Sequence, residues 1–338
     1  MTRFEEMGEL LKNRKYFKLV CGAGNEDAEE VRRLTVIYVL AGCNGLDVSA
    51  TPSVVEGCVA GIEKAYDLAP ALGRKVLTRP FITVSVGMAG DHHVRKAFIT
   101  DACIECGKCV SVCPTQAITE NYEVVREKCI GCGSCEAVCS PNVSAIRYEH
   151  NAKELSRILP ECLALGAENI ELHAAVASND AIMAEWQTVS EAQPDNFISM
   201  CLDRLHLSNA HLIERIREAG EIAGKRLIIQ ADGVPMSGGA DDFNTTLQAV
   251  AIADVINKSL MQKDQNYKEL PVLLSGGTNG KSKELADLCS IAYSGVSIGT
   301  HARRIVQEYV NNEDFDSDMA SLAEAVGIAE DLVRSSLP

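Results

Sequence analysis

The sequence predicts an α/β protein, a (β/α)8 TIM-like barrel that is interrupted by a small cysteine-rich module. Eight short apolar segments alternate with amphipathic segments of helical period along the 338 residues, which is the pattern of a parallel sheet with crossover helices. The alternation stops once, where eight of the 14 cysteines fall between positions 103 and 139. The number of strands, the short loops and the chain length favour a closed barrel over its alternative, an open doubly wound sheet.

The first part of the predicted barrel covers residues 1–98. Each strand is an apolar run that ends in a glycine-rich or polar turn, and each helix has apolar residues three or four positions apart. The predicted strands are 16–20, 46–49 and 81–86, and the helices are 4–13, 27–40 and 52–68.

The rest of the barrel is predicted over residues 151–312, followed by a C-terminal segment over 313–338. An amphipathic helix at 317–336 in that segment is expected to pack on the outside of the barrel or in an oligomer contact. The other helices are predicted at 153–165, 180–192, 210–223, 241–257, 282–292 and 302–310, and the strands at 169–173, 197–202, 226–231, 270–275 and 295–298.

The inserted module, residues 99–150, carries two cysteine runs of the form C-x2-C-x2-C-x3-C, the second 26 positions after the first. Three thiolates of such a run bind one [4Fe-4S] cluster, and the fourth binds the neighbouring cluster. The spacing therefore predicts an α+β, ferredoxin-like module with crossed ligand sets. One set is Cys103, Cys106, Cys109 and Cys139, and the other is Cys129, Cys132, Cys135 and Cys113.

Two other uses of these cysteines are weaker. Zinc binds C-x2-C pairs, but zinc sites rarely place four cysteines so close together. A disulfide framework needs an oxidising compartment, and the charged N-terminal segment does not resemble a secretion signal. The other six thiols are expected to be buried small hydrophobes: Cys21, Cys43, Cys58, Cys162, Cys201 and Cys289.

Charge and hydropathy exclude some classes of partner. The net charge is -15, so a nucleic acid is not expected as a partner, because phosphate binding requires a basic surface. There is no apolar run of about 18 residues, so no membrane span is predicted. We expect a cytoplasmic protein, or a protein of the plastid stroma in a plant or alga.

The loops after the seventh and eighth predicted strands form a second candidate site. In many barrels these loops and a helix N-terminus bind a phosphate group, because glycines allow backbone N–H groups to approach the anion. A phosphate-bearing ligand, with FMN as one example, is therefore predicted here, although paired glycines also serve tight packing. The residues are Gly276, Gly277, Thr278, Asn279, Gly299, Thr300 and Arg303.

Charged residues within or just after predicted strands are weak catalytic candidates. Lys18 interrupts an apolar strand, and Asp203 and Asp232 follow strands. A lysine beside carboxylates can serve as a base, but a structural ion pair explains the pattern equally well. Two histidines just before the module, His92 and His93, are expected to be solvated loop residues.

Five segments on the two sides of the module carry distinctive motifs: 17–23 (FKLVCGA), 40–50 (LAGCNGLDVSA), 230–238 (QADGVPMSG), 275–279 (SGGTN) and 299–303 (GTHAR). Together they resemble the light-dependent period (LdpA) family of cyanobacteria and their relatives, and the module itself resembles bacterial two-cluster ferredoxins. The family resemblance implies an iron-sulfur protein that senses cellular redox state and adjusts circadian period. The clock role requires a host that has such a clock.

Two hypotheses of function follow. In the first, the chain is an electron-transfer and redox-sensing protein that exchanges single electrons with a partner protein. In the second, it is an oxidoreductase whose clusters pass electrons to a flavin or a phosphorylated substrate in the barrel mouth. A full barrel favours the enzyme, and the lack of a clear acid-base set favours the sensor.

Overall fold

The computed structural model describes residues 1–150, 153–233, 242–276 and 278–338, with backbone only at 242–244. Eight parallel strands close into a barrel in which strands that follow one another along the chain are neighbours, as predicted. Two further strands pair with each other outside it. The ten strands are β1 (Tyr16–Val20), β2 (Gly45–Ser49), β3 (Phe81–Gly87), β4 (Arg95–Ile99), β5 (Ile146–His150), β6 (Asn169–His173), β7 (Ile198–Leu202), β8 (Leu227–Asp232), β9 (Val272–Ser275) and β10 (Gly295–Ile298).

Helices surround the barrel, and none of those described is long and apolar enough to cross a membrane. Their bounds are α1 (Arg3–Lys12), α2 (Ala28–Leu40), α3 (Pro52–Leu68), α4 (Lys108–Val112), α5 (Ser134–Val138), α6 (Leu155–Ala164), α7 (Asn179–Ala192), α8 (Asn209–Ala223), α9 (Asp242–Ile256), α10 (Ser282–Leu288), α11 (Thr300–Arg304), α12 (Gln307–Val310) and α13 (Met319–Ser336).

Several predicted bounds differ from the structure. Strand β9 begins two residues late, after Pro271, which has no N–H group to donate to a neighbouring strand. The helix predicted at 302–310 is two short helices, because the chain turns so that Val306 is fully buried. Helix α10 ends at Leu288, and Asp241, the predicted first residue of α9, lies outside the described residues.

Helix α1 closes the N-terminal end of the barrel. Its first turn is stabilised by a capping box in which the Thr2 hydroxyl accepts from a backbone N–H. Its apolar face places Met7 and Leu11 against Phe81 and Phe197 at the bottom of the strands. A ligand can therefore enter only at the opposite, C-terminal end, where barrel sites form.

The cysteine-rich segment follows β3 and lies over that C-terminal end. Strands β4 and β5 form an antiparallel pair with five residues each, and β4 begins at Arg95, before the predicted start of the module. Gly107 and Gly133 have positive φ angles of 74° and 86° and lead directly into the short helices α4 and α5. Glycine therefore provides the tight turns between cysteines.

The C-terminal helix α13 packs on the outside of the barrel, in contact with α2. Its buried face includes Leu322, Val326, Ala329 and Val333, which recur at helical spacing. The predicted packing of this helix on the outside of the barrel is therefore observed.

Candidate functional site

The inserted module contains two cavities, and four cysteines line each of them. The first cavity has an open volume of about 350 Å³ and combines three cysteines of the second run with the last cysteine of the first run. The second cavity, of about 390 Å³, combines three cysteines of the first run with the last of the second. The first four are Cys129, Cys132, Cys135 and Cys113, and the second four are Cys103, Cys106, Cys109 and Cys139.

Backbone N–H groups point at several of these sulfur atoms. Ala117 N donates to Cys113 Sγ at 3.2 Å, and Ala145 N donates to Cys139 Sγ at 3.4 Å. Alanine follows the last cysteine by four residues in the first run and by six in the second, yet both make the same contact. Such N–H···S bonds stabilise negative charge on sulfur and influence the potential of a bound cluster.

All 14 cysteines are free thiols. Burial raises the pKa of Cys135 to about 11, so this thiol ionises readily only when a cation such as iron replaces its proton. Of the six thiols outside the module, five are buried as predicted, but Cys289 is exposed. It lies just after α10, in a turn that leaves the barrel surface.

The middle of the barrel interior is polar. Lys18 is 2% exposed, and its Nζ lies 2.8 Å from Asp47 Oδ2 and 2.5 Å from Glu171 Oε2. Since β1 and β6 are not neighbours, this contact crosses the barrel and shows that the lysine points inward. Ser85 donates to Asp47, and Ser199 donates to Glu171 at 2.9 Å. Burial alone would lower the pKa of Lys18, but the charges of Asp47 and Glu171 raise it above its ordinary value.

A cavity of about 650 Å³ opens above this layer at the barrel mouth. Glu171, His173 and Asp232 line it from the strands, and Arg303 lines it from α11. The Arg303 side chain is only 6% exposed, and its Nε has no hydrogen-bond partner among the described residues. The lining therefore combines acidic groups with the buried guanidinium of Arg303.

Two histidines and an aspartate form a buried group beside this cavity. His93 Nδ1 lies 2.7 Å from Asp91 Oδ1, and the rings of His93 and His173 are 4.1 Å apart. Burial alone would lower the pKa of His93, but Asp91 and Asp232 raise it to about 10. Burial and the charge on His93 lower the pKa of His173 to about 4. The expectation that His93 is solvated is wrong, because it is 7% exposed, while His92 keeps more contact with solvent.

The predicted phosphate-site residues are only partly together. Gly276, Gly299, Thr300 and Arg303 line the barrel-mouth cavity. The Thr278 hydroxyl instead donates to the backbone carbonyl of Ser297 at 2.5 Å. Asn279 bonds within its own turn and to Thr246 at 3.4 Å, and Gly277 lies outside the described residues.

Gly276 allows the loop after β9 to pass close to the neighbouring strand end. Its φ is 61°, and a Cβ at this position would lie 2.1 Å from Asp232 Oδ1. A glycine is therefore required here for packing.

The weak catalytic candidates occupy different levels of the barrel. Lys18 lies beneath the cavity and is held by two carboxylates, whereas Asp232 lines the cavity. Asp203 accepts from Leu205 N at 2.8 Å through one oxygen, and burial raises its pKa. Sequence reasoning missed Glu171, although a charge within an apolar strand is the same signal that singled out Lys18.

Comparisons with known proteins agree with both parts of this structure. The family described as "Light dependent period A C-terminal domain" matches residues 162–335. Two families described as "4Fe-4S binding domain" match residues 97–119 and 126–142. The "Light dependent period A" protein of Synechococcus elongatus is 32% identical over 316 residues, which are 89% of this chain and 83% of that protein. These matches confirm the predicted resemblance and the iron-sulfur character of the module.

The similar solved structures have low sequence identity to this chain. A protein described as a deoxyribose-phosphate aldolase from Toxoplasma gondii is 12% identical, with a TM-score of 0.46 and coverage of 98% of each chain. The YdjI aldolase of Escherichia coli is 9% identical, with a TM-score of 0.44 and coverage of 97% of this chain and 90% of that one.

Proposed function

Because the chain belongs to the light dependent period A family, we propose that it is an electron-transfer and redox-sensing protein that carries two [4Fe-4S] clusters and adjusts circadian period to cellular redox state. In this proposal residues 99–150 form the cluster module. Residues 1–98 and 151–312 form the barrel, and residues 313–338 form the C-terminal segment. The barrel would present the module to a redox partner protein.

The observation that supports two clusters is the composition of the two cysteine cavities. Each contains three cysteines of one run and the last cysteine of the other, which is the ligand arrangement of two-cluster ferredoxins. We therefore assign Cys103, Cys106, Cys109 and Cys139 to one cluster and Cys129, Cys132, Cys135 and Cys113 to the other.

The two clusters would have different surroundings. Cys106 and Ile104 are exposed, the latter at 63%, so the first cluster would exchange electrons with a partner at the protein surface. Ile130 lines both the second cluster cavity and the barrel-mouth cavity. The second cluster would therefore lie between the first cluster and the barrel mouth, which is the order that a short electron path requires.

The test of the clusters uses protein purified without oxygen. We expect about eight iron and eight sulfide per chain, and a broad absorption band near about 400 nm that bleaches with dithionite, as for two cubane clusters. Zinc in place of iron, or about four iron per chain, would contradict the assignment.

The clock role has its own test in Synechococcus elongatus cells that lack their light dependent period A protein. This chain should restore the dependence of period on light, and a Cys129→Ser variant of equal abundance should not. Equal restoration by both proteins would mean that the clock role does not depend on intact clusters.

A second function is supported by the barrel-mouth cavity. The buried Arg303 guanidinium has an Nε with no partner in the part of the chain that the structure describes, and it lies beside Gly276 and Gly299, which suits a phosphate-bearing ligand such as FMN. In that case the protein is an iron-sulfur oxidoreductase in which Asp232, with Asp203 and Lys18 nearby, would assist proton transfer.

Titration of the cluster-loaded protein with FMN tests this function. Binding should quench flavin fluorescence, and Arg303→Met should weaken it at least about tenfold, because a buried charged hydrogen bond contributes about 1.5–3 kcal/mol. Equal affinity in wild type and Arg303→Met, or no binding by either, would exclude FMN from this site.

A further inference from the structure

Asp91, His93 and His173 bring three metal-binding side chains together at the barrel mouth. Asp91 and His93 follow β3, and His173 ends β6, the neighbouring strand of the barrel. One oxygen or nitrogen from each residue lies within 4.8 Å of the corresponding atom of the other two, and all three residues are buried. Ligands of a single metal ion, each about 2.0–2.2 Å from the metal, have mutual spacings of this order.

A second carboxylate adjoins this group. Asp232 Oδ2 lies 3.3 Å from His93 Nε2, and the residue is 3% exposed. Asp232 comes from the end of β8, which lies on the other side of the mouth from β3. Asp91 lies 2.7 Å from the other ring nitrogen, His93 Nδ1, so Asp232 holds the ring from its opposite side, as carboxylates do for metal-binding histidines.

Two polar atoms of the group are buried and unsatisfied. Asp91 Oδ2 and His173 Nδ1 have no hydrogen-bond partner among the described residues. Each such atom costs about 1–3 kcal/mol when it is removed from water, and buried polar atoms are otherwise almost always paired. Two orphans in one cluster indicate a ligand that accepts electron pairs from both of them.

We propose that Asp91, His93 and His173 bind one divalent transition-metal ion, separate from the iron-sulfur clusters, and that Asp232 orients His93 through its other ring nitrogen. Two imidazoles and one carboxylate are donors that suit Mn²⁺, Fe²⁺, Co²⁺ or Zn²⁺, and the absence of thiolate among them argues against a soft ion. The proposal does not rest on the function proposed above.

A competing account needs no metal. A proton on His93 also balances the two carboxylates that face it, Asp91 and Asp232. A proton, however, leaves His173 Nδ1 and Asp91 Oδ2 unpaired, whereas a metal uses them. A second group in the structure, Glu171, His173 and Cys201, is less suitable, because Lys18 and Ser199 already hold Glu171.

The site is coupled to the cluster module through the backbone. A Cβ on Gly24 would lie 2.9 Å from the His93 carbonyl oxygen and 3.4 Å from Ile130 Cα. A Cβ on Gly131 would lie 2.8 Å from the His92 carbonyl oxygen. The metal site and the loop of the second cluster are therefore packed against each other, and a paramagnetic ion at this site should affect the magnetic signal of that cluster.

The test is a titration of the anaerobically purified, cluster-loaded protein with Mn²⁺ alone, followed by the room-temperature EPR signal of free Mn²⁺. We expect one tightly bound Mn²⁺ per chain. His173→Gln and Asp232→Asn should each weaken binding by about 10-fold to 100-fold, as loss of one donor or its support does in protein metal sites. At low temperature, bound Mn²⁺ should also broaden the EPR signal of the reduced clusters.

The matched control is His211→Gln, which removes an exposed imidazole on α8 that is not in the group. Its Mn²⁺ affinity should equal that of the wild type. Iron and sulfide content reports whether each variant is folded. If one of His173→Gln and Asp232→Asn fails to fold, the other alone tests the proposal. No stoichiometric binding by the wild type, or binding that both variants and the control share equally, would overturn the proposal and assign any residual binding to the acidic surface.

Discussion

The buried ammonium group of Lys96 donates a hydrogen bond to the backbone carbonyl of Cys129 at 2.9 Å. The same ammonium donates to the Arg126 carbonyl at 2.9 Å and to the Gly24 carbonyl, and it lies 3.4 Å from a Glu26 oxygen. Gly24 and Glu26 belong to the loop after β1, whereas Cys129 is a proposed cluster ligand. One lysine on β4 therefore joins the barrel to the loop of the second cluster.

Replacing Lys96 with methionine should loosen the second cluster. Methionine fills a similar volume but leaves the Gly24 and Cys129 carbonyl groups without the donor that Lys96 provides, at about 1–3 kcal/mol each. We expect faster loss of about half of the iron when an iron chelator is added, because only one of two clusters of equal iron content is affected. Iron release is followed by the absorbance of the ferrous chelate.

The control for this change is Lys128→Met. Lys128 is on the same face of the module, but its side chain is 44% exposed and lies 3.9 Å from Asp27, so its loss should matter little. Iron release from Lys96→Met at the rate of this control would mean that the lysine does not hold the cluster loop.

Pairs of cysteine substitutions test the crossed ligands. If Cys103 and Cys139 bind the same cluster, the double variant Cys103→Ser with Cys139→Ser should lose one cluster and keep about four iron. Cys113→Ser with Cys139→Ser should lose both clusters. Iron and sulfide analysis distinguishes the two ligand arrangements, and loss of both clusters from Cys103→Ser with Cys139→Ser would mean that each run binds its own cluster.

Tyr148 should raise the reduction potential of the second cluster. Its buried hydroxyl lines that cavity and has no hydrogen-bond partner among the described residues, while its ring lies 3.9 Å from the Arg95 guanidinium carbon. A hydroxyl that donates to a cluster sulfur stabilises the reduced, more negative state. Tyr148→Phe should therefore lower the potential by roughly 40 mV, the one-electron equivalent of about 1 kcal/mol.

The potential of this one cluster can be measured by redox titration in a Cys103→Ser background, which we expect to retain only the second cluster. Tyr122→Phe is the control, since the Tyr122 hydroxyl donates to the Glu105 carbonyl at 2.7 Å and lines the other cavity. An unchanged or higher potential in Tyr148→Phe would show that the hydroxyl does not donate to the cluster.

The barrel and the cysteine pattern were predictable from the sequence because each depends on local spacing. Buried strands are short apolar runs, and the grouping of Cys139 with the first cysteine run follows from the length of one run. The placement of His93 was not predictable, because it depends on a long-range contact. His93 is buried only because Asp232, which is far along the chain, meets it across the barrel mouth.

The contacts inside the barrel were likewise not predictable from the sequence alone. Lys18 stood out in an apolar strand, but its position between Asp47 and Glu171 depends on which strands lie opposite each other in the closed barrel. The sequence alone left a catalytic base and a structural ion pair equally open. In the structure both carboxylates hold the ammonium, which favours the ion pair.

Lys18→Met should therefore strongly destabilise the barrel. It leaves two buried carboxylates, Asp47 and Glu171, without a cation, and loss of one partner of a buried ion pair costs about 3–5 kcal/mol. Trp186 is the only tryptophan and is fully buried in the barrel core. Its fluorescence during anaerobic denaturant unfolding thus reports on the barrel rather than on the module.

A second substitution distinguishes charge imbalance from lost packing. Glu171→Gln in the Lys18→Met background removes one of the two uncompensated carboxylates, so the double variant should regain about 0.5–3 kcal/mol, the usual coupling between residues in contact. Lys15→Met, at an exposed position before β1, should leave the free energy of unfolding unchanged. If the double variant is less stable than Lys18→Met alone, the lysine stabilises the barrel through its packing. In that case its charge does not compensate the two carboxylates.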